Sequence, residues 1–126
     1  MTTRHREPLP HDTTVVVRGG VMHIDDLRRN ALITLRRHGF AGISVFAAVD
    51  TTLDELLAGP VYIPHAQIRT TTVGRLRDAA FELRRTLTLP YHYDIVLEDT
   101  DDDTLARLLG CFDEPQPNPH PRRPPA

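Results

Sequence analysis

The sequence has no lysine, no tryptophan, one cysteine and no long apolar run. The single Cys111 cannot form an internal disulfide, and one thiol without neighbouring ligands is a poor start for a metal site, so we predict a small buried side chain and no metal. No segment approaches the roughly 18 to 20 apolar residues that cross a bilayer, and residues 1–12 lack the apolar core of a signal peptide. We therefore expect a cytoplasmic protein that does not interact with a membrane.

Because the sequence has no lysine, all fifteen of its permanently basic residues are arginines. Each arginine is a planar, permanently charged donor suited to phosphate or carboxylate. The net charge of −2, the absence of a base-reading motif and the small number of aromatic residues argue against DNA binding and leave RNA open. Charge is nevertheless uneven: residues 69–85 carry +3 and residues 94–114 carry −7, which can steer a partner or pair internally.

Composition and proline spacing divide the chain into three parts. Residues 1–12 are polar, contain two prolines and read as a flexible arm. Residues 13–112 are long enough for one core and form a single domain. From Pro115 to Pro121 every second residue is proline, a pattern that neither pairs as a strand nor continues a helix, so residues 113–126 are predicted to be a Pro-rich disordered tail.

Residues 13–112 predict alternating strands and helices. Asp25 is the predicted N-cap of the first helix, and Thr51 and Thr52 precede acids at a capping-box distance. The fold class that follows is α/β or α+β, with a mixed β-sheet of about five strands, three to four helices packed on it, and parallel first strands joined by right-handed crossovers. The predicted strands span residues 13–18, 42–49, 61–69, 81–87 and 91–99, the last two as a hairpin; the predicted helices span residues 25–37, 53–58, 73–80 and 104–112.

The first helix has an apolar arc on a helical wheel. Spaced at about 100° per residue, its apolar side chains on one side predict the face that packs on the sheet. Ile33 falls on the opposite side among charged residues and is predicted to be exposed without consequence. The predicted core face consists of Ile24, Leu27, Ala31, Leu32 and Leu35.

The stretch "VVVRGG" ends a β-branched strand on Arg18, Gly19 and Gly20. Backbone amides at such a strand-to-helix turn can point at an anion, and a guanidinium adds a charged fork, so all three residues are candidate ligand-binding residues. The glycine spacing matches neither the dinucleotide fingerprint nor the phosphate-binding loop. The alternative is an ordinary turn in which Arg18 pairs with a carboxylate such as Asp50 or Asp94.

Four polar residues beside apolar segments are further candidates. Ser44 lies within an apolar strand, where its hydroxyl must either bond the backbone or reach a pocket, and it is a candidate cofactor-binding residue. Glu55 serves either as a helix cap or as a catalytic carboxylate. His65 follows a proline in a loop, and His92 shares a strand face with Asp94. Both histidines are acid–base candidates; the alternative is that each is a side chain with an ordinary hydrogen-bond partner.

An arginine that closes the first strand, followed by "GFAGISVFAAVDTTLDEL", resembles the Arg–Glu–Ser type of ADP-ribosyltransferase-like toxin domain. The resemblance covers residues 15–78. It implies that NAD is the cofactor, that Arg18 holds its pyrophosphate, and that Glu55 lies near the nicotinamide ribose. Ser44 precedes Glu55, whereas the family's serine follows the glutamate, so one of Thr70, Thr71 and Thr72 would have to replace that serine.

Two further functions remain open. Metal-free RNA cleavage could use His23, His65 and His92 to move protons while arginine stabilises the charged phosphorane. The alternative that we expect first is a small binding or regulatory module acting through a protein partner or as a homodimer. Its contact surfaces would be the acidic last helix and a basic face of the first helix formed by Arg29, Ile33, Arg36 and Arg37.

Overall fold

The computed structural model describes residues 9–10, 15–85 and 90–121. Within these residues, none of the helices is both long enough and apolar enough to span a membrane. The strands are β1 (Val15–Gly19), β2 (Ala41–Ala48), β3 (Gln67–Thr72), β4 (Glu82–Arg84), β5 (His92–Leu97) and β6 (Gln116–Pro117). The helices are α1 (Ile24–His38), α2 (Leu53–Ala58), α3 (Val73–Asp78) and α4 (Asp102–Leu109).

The strands form one six-stranded sheet in the order β4-β5-β2-β1-β3-β6. The predicted single α/β domain is confirmed, but the predicted parallel first strands are wrong because every pairing among the described strands is antiparallel. The chain leaves β1 and enters β2 at the same end of the sheet, with α1 between them, so β2 runs antiparallel to β1. The continuous apolar pattern of β1 and β2 reflects burial on both faces, which an antiparallel sheet also achieves when helices cover both sides.

Two apolar clusters lie on the two faces of the sheet. Alternation along β1 sends Val16 into the larger cluster and Val17 into the smaller one, and both are fully buried. The larger cluster packs residues of α1, α3 and α4 against the sheet, whereas the smaller one packs α2 and the segment after it. α2 and the connection to β3 therefore form a separate layer over one end of β1 and β2.

α1 differs from the prediction at its start and on its buried face. The helix begins at Ile24 with His23 at the N-cap, and Asp25 lies in the first turn, where an acid favours the helix dipole without capping it. Leu32 and Leu35, predicted to face the core, are 39% and 44% exposed. Leu27 and Ala31 are buried as predicted, but Thr34 completes the buried side, because the helix turns two polar residues, Asn30 and Thr34, toward β2. Ile33 is half-buried and lines a cavity.

The other helix boundaries follow local signals. Thr52 and Glu55 form the predicted capping box of α2, with both reciprocal hydrogen bonds at 3.1 Å. Thr72 caps α3, and Asp101 accepts a hydrogen bond from the Thr104 amide at 2.9 Å at the start of α4. Gly39 ends α1 at a φ of 83°, as expected for a left-handed cap.

The structure corrects the predicted tail for residues 113–121. Gln116 and Pro117 pair with β3, and the side chain of Asn118 is only 6% exposed. An alternating proline pattern permits this pairing because β6 is an edge strand, where missing amide donors face away from the ladder. Residues 122–126 lie outside the described residues.

The predicted amino-terminal arm is also partly corrected. Leu9 is buried in the larger cluster, and its carbonyl accepts a hydrogen bond from Arg77 at 2.7 Å. Residues 1–8 and 11–12 lie outside the described part of the chain.

The predicted hairpin near residue 81 is confirmed where it is described. β4 pairs antiparallel with β5, with Leu83 opposite Ile95. Residues 86–89, which include the predicted turn and the end of the first predicted strand, lie outside the described residues. The predicted strand is therefore found at Glu82–Arg84.

The observed face of α1 predicts a contrast between two leucines that the sequence pattern treats alike. Leu27→Ala removes a fully buried side chain and should lower the free energy of unfolding by about 2 to 5 kcal/mol. Leu35→Ala, at a side chain 44% exposed, should change it by no more than about 0.5 kcal/mol. Urea unfolding measures both, and equal losses would contradict the observed orientation of α1.

Candidate functional site

The central feature of the site is an opening in the sheet between β1 and β2. The two strands pair from Val15 opposite Ala48 to Val17 opposite Phe46, and the pairing stops there. β1 continues beside β3 through Arg18 and Gly19. β2, which runs the other way, reaches this point through Ser44, so the ladder that would join Ser44 to β1 is missing.

The backbone of Ser44 points into this opening. Ala47 donates to Tyr91 at 2.9 Å, and hydrogen-bonded pairs alternate along an antiparallel ladder, so the N–H and C=O groups of Ser44 face away from β5. Two side chains replace the missing strand. Arg18 donates from Nη1 to the Ser44 carbonyl at 2.7 Å, and Asn30 of α1 accepts from the Ser44 amide at 3.1 Å.

The guanidinium of Arg18 is therefore held inside the opening. Burial lowers the pKa of Arg18, while the nearby charges of Asp26 and Asp94 raise it, and an arginine remains cationic under these conditions. Its Nε is buried and has no hydrogen-bond partner among the described residues. The predicted alternative was an ion pair to Asp50 or Asp94; the structure gives a hydrogen bond to a backbone carbonyl, with the carboxylates of Asp26 and Asp94 near the guanidinium.

The two glycines after Arg18 are required by different contacts. Gly20 has a φ of 87°, in the left-handed region that favours glycine. Gly19 lies directly against the imidazole of His65 and the side chain of Ile63, and any added Cβ would collide with both. The glycine pair thus turns the chain toward α1 and allows the His65 ring to lie close to the β1 backbone.

Ser44 and Asp94 form a polar pair on the α2 side of the sheet. The Ser44 hydroxyl donates to Asp94 Oδ1 at 3.3 Å, and the two residues lie opposite each other in β2 and β5. Asp94 is only 2% exposed, so its carboxylate is a buried acceptor near the cationic Arg18. The Ser44 hydroxyl is therefore satisfied by a side chain rather than by the backbone.

His92 lies on the same strand face as Asp94, as predicted, and is 7% exposed. Burial lowers the pKa of His92; Asp94 opposes this effect, while Arg85 and His38 add to it. The ring packs edge-on against Phe46 with centroids 5.7 Å apart. Its Nδ1 is buried without a hydrogen-bond partner among the described residues. Burial therefore disfavours the charged form of His92.

Two cavities meet at Arg18. The smaller, of about 230 Å³, has both histidines on its wall, whereas the larger, of about 570 Å³, extends toward α1. Arg18, Gly19, Ser44 and His65 line both of them. The smaller cavity is completed by Phe46, Tyr62, Ile63, Pro64 and His92. The larger is completed by Gly20, Val21, Met22, Asp26, Arg29, Asn30 and Ile33.

The structure therefore brings together most of the residues singled out from the sequence: Arg18, Gly19, Gly20, Ser44, His65 and His92. Glu55 is not among the residues that line either cavity, and its carboxylate accepts the Thr52 amide in the capping box. Hydrogen bonds to the Thr52 backbone, and then to the Thr51 and Thr52 side chains, lower the pKa of Glu55. His23, at the N-cap of α1, does not line these cavities either.

No cluster of three or more histidine, cysteine, aspartate or glutamate side chains suited to a metal ion occurs within the described ranges. Cys111 is 7% exposed, and burial raises the pKa of its thiol. The site can accept an anion and move protons through side chains of this chain.

Sequence reasoning missed Asn30, Phe46 and Tyr62. Asn30 gave a usable signal, because an amide beside the buried stripe of a helix needs a hydrogen-bond partner. Phe46 and Tyr62 gave none, since aromatic residues in or beside strands are usually core residues. Their place in the cavity depends on contacts between segments that are distant in sequence, such as the pairing of Phe46 with His92.

The lowered pKa of His92 predicts a pH-dependent stability. As the pH falls below about 6.5, the unfolded chain binds a proton that the native His92 resists, so the free energy of unfolding falls until the native pKa is passed. In His92→Gln this contribution should be absent. Urea unfolding of both proteins from about pH 8 to about pH 5 measures the difference. An unchanged pH dependence in the variant would contradict a buried neutral imidazole.

Comparison with known proteins adds no relative to this picture. No family model matches the chain, and no curated protein or solved structure matches it.

Proposed function

We propose that the protein cleaves RNA without a metal ion, as a small toxin-like effector. The observation that carries the proposal is that Arg18, His65 and His92 line one cavity of about 230 Å³. A cation and two imidazoles are the groups that intramolecular phosphodiester cleavage requires: a base, an acid and a stabiliser of developing negative charge.

In the proposed step the ribose 2′-oxygen attacks the adjacent phosphorus. A base removes the 2′-hydroxyl proton as the O2′–P bond forms, and an acid donates a proton to O5′ as the P–O5′ bond breaks. The products are a 2′,3′-cyclic phosphate and a 5′-hydroxyl. Arg18 binds the phosphoryl oxygens, whose negative charge increases in the transition state.

The environments of the two histidines support different roles. Burial lowers the pKa of His92 and so favours the uncharged form that a base requires, and the ring lines the cavity. His65 is exposed at the cavity wall beside Gly19, and in the proposal it is the acid. The larger cavity next to Arg18 provides room for a neighbouring nucleotide.

The purified protein should cleave single-stranded RNA in the presence of EDTA and leave 2′,3′-cyclic phosphate ends. His65→Gln and His92→Gln should each lower kcat/KM by about 10²- to 10⁴-fold, the usual contribution of one general acid or base. Arg18→Ala should lower it by about 10²- to 10³-fold. Because burial lowers the pKa of His92, the acidic limb of the kcat/KM profile should lie below about pH 6.5.

Glu55→Gln is the matched control, since it removes a capping carboxylate that does not line either cavity and should leave the cleavage rate unchanged. The same variant tests the NAD-consuming alternative, which requires Glu55 and predicts NAD loss in the wild type only. RNA that stays intact under all conditions, or wild-type rates in both histidine variants, would refute the RNA proposal.

A second candidate is the binding module that acts through a protein partner. It is favoured by two apolar side chains on α1, Leu32 and Leu35, which are 39% and 44% exposed beside the exposed Arg29 and Arg36. An apolar pair bordered by arginines fits an acidic partner better than open solvent.

This second candidate predicts a partner that binds more weakly as salt increases. Leu32→Gln and Arg36→Ala should each weaken its capture from a lysate, and Leu27→Ala is not used because it disturbs the core. Capture that depends on Arg18 but is insensitive to Leu32→Gln would place the partner at the cavity instead.

A further inference from the structure

Residues 113–121 are attached to the segment that carries His65. β6 pairs with β3 at Gln67 and Ile68, directly after that segment, and the Asn118 amide donates to the Ala66 carbonyl at 2.9 Å. Residues 61–66 have no regular secondary structure, so their polar backbone groups need partners from elsewhere. The C-terminal residues supply them.

The carboxamide of Asn118 makes three directed hydrogen bonds. Nδ2 donates to the carbonyls of Ile63 at 2.8 Å and His65 at 2.9 Å, and Oδ1 accepts the His120 amide at 2.9 Å. With the side chain 6% exposed, water does not compete for these bonds. One buried amide thus fixes the backbone on both sides of Pro64.

We propose that Asn118 is a positioning residue for His65, holding its imidazole against Gly19 at the wall of the cavity that contains Arg18 and His92. This inference rests on the proposed cleavage of RNA for its catalytic consequence, but not for its structural content. Asn118 does not line the cavity itself. It acts through its hydrogen bonds to the carbonyls of Ile63 and His65. The side chain of Ile63, like that of His65, lies against Gly19.

An outer contact of the same segment provides a matched control. His120 Nε2 lies 2.9 Å from Asp54 Oδ1 at the surface of α2. His120→Gln removes the contact to Asp54 while leaving the His120 backbone amide, and hence all three bonds of the Asn118 carboxamide, in place.

The test compares Asn118→Ala with His120→Gln in the full chain. A misplacement of about 1 Å can cost about 10²-fold in rate, so Asn118→Ala should lower kcat on RNA by about that factor with little change in KM. NMR should show the His65 ring resonances shifted and the His92 resonances unchanged. His120→Gln should match the wild type in both measurements.

The NMR result decides the proposal even if the wild type does not cleave RNA, so failure of the two proposals can be told apart. If Asn118→Ala does not fold, Asn118→Ser takes its place, and slow exchange of the Asn118 side-chain amide protons in the wild type checks the bonds themselves. Unchanged His65 resonances in a folded variant, or rapid exchange of those protons, would overturn the assignment.

Discussion

The hydrogen bonds to the backbone of Ser44 determine the rest of the site. Where β1 leaves β2, an unpaired amide and carbonyl would each cost free energy on the order of a few kcal/mol if left buried without partners. Asn30 and Arg18 satisfy them from the side, at 3.1 Å and 2.7 Å, and so allow the sheet to separate without losing its hydrogen bonding. A positively charged side chain is thereby held inside the sheet rather than at its surface.

This arrangement explains why an arginine and two glycines end a strand of β-formers. Arg18 must reach across to β2, Gly20 must adopt a positive φ to turn toward α1, and Gly19 must leave space for His65. The anion-binding and tight-turn interpretations of that stretch are therefore compatible, since the turn creates the space and the arginine supplies the charge. The NAD interpretation lacks similar support, because the Glu55 carboxylate is used at the start of α2.

Predictions from the sequence succeeded where the determining interactions are local. The capping box at Thr52 and the predicted strand around Leu83 each depend on a few neighbouring residues. They failed where packing partners are distant in sequence. Hydropathy assigned Leu32 and Leu35 to the core, whereas the position of Asn30 against β2 decides which face of α1 is buried. Alternating prolines indicated disorder, whereas an edge of β3 accepts them as β6.

The convergence of site residues was predictable only in part. His92 and Asp94 were expected on one strand face from their spacing, and Arg18 was expected at a strand end. That His65 meets them depends on a loop held by Asn118, whose partners lie 53 and 55 residues away. No pattern within a short window contains that information.

The central claim is that the guanidinium of Arg18 binds a phosphoryl group in the opening between β1 and β2. The most direct measurement follows the ¹⁵N–¹H resonance of Arg18 Nε, assigned with Arg18→Lys, during titration with inorganic phosphate and then with a dinucleoside monophosphate. A saturable shift of this resonance, accompanied by shifts at Ser44 and His65, is the predicted result. An Arg18 resonance that stays unchanged while phosphate binds elsewhere, or does not bind, would contradict the account.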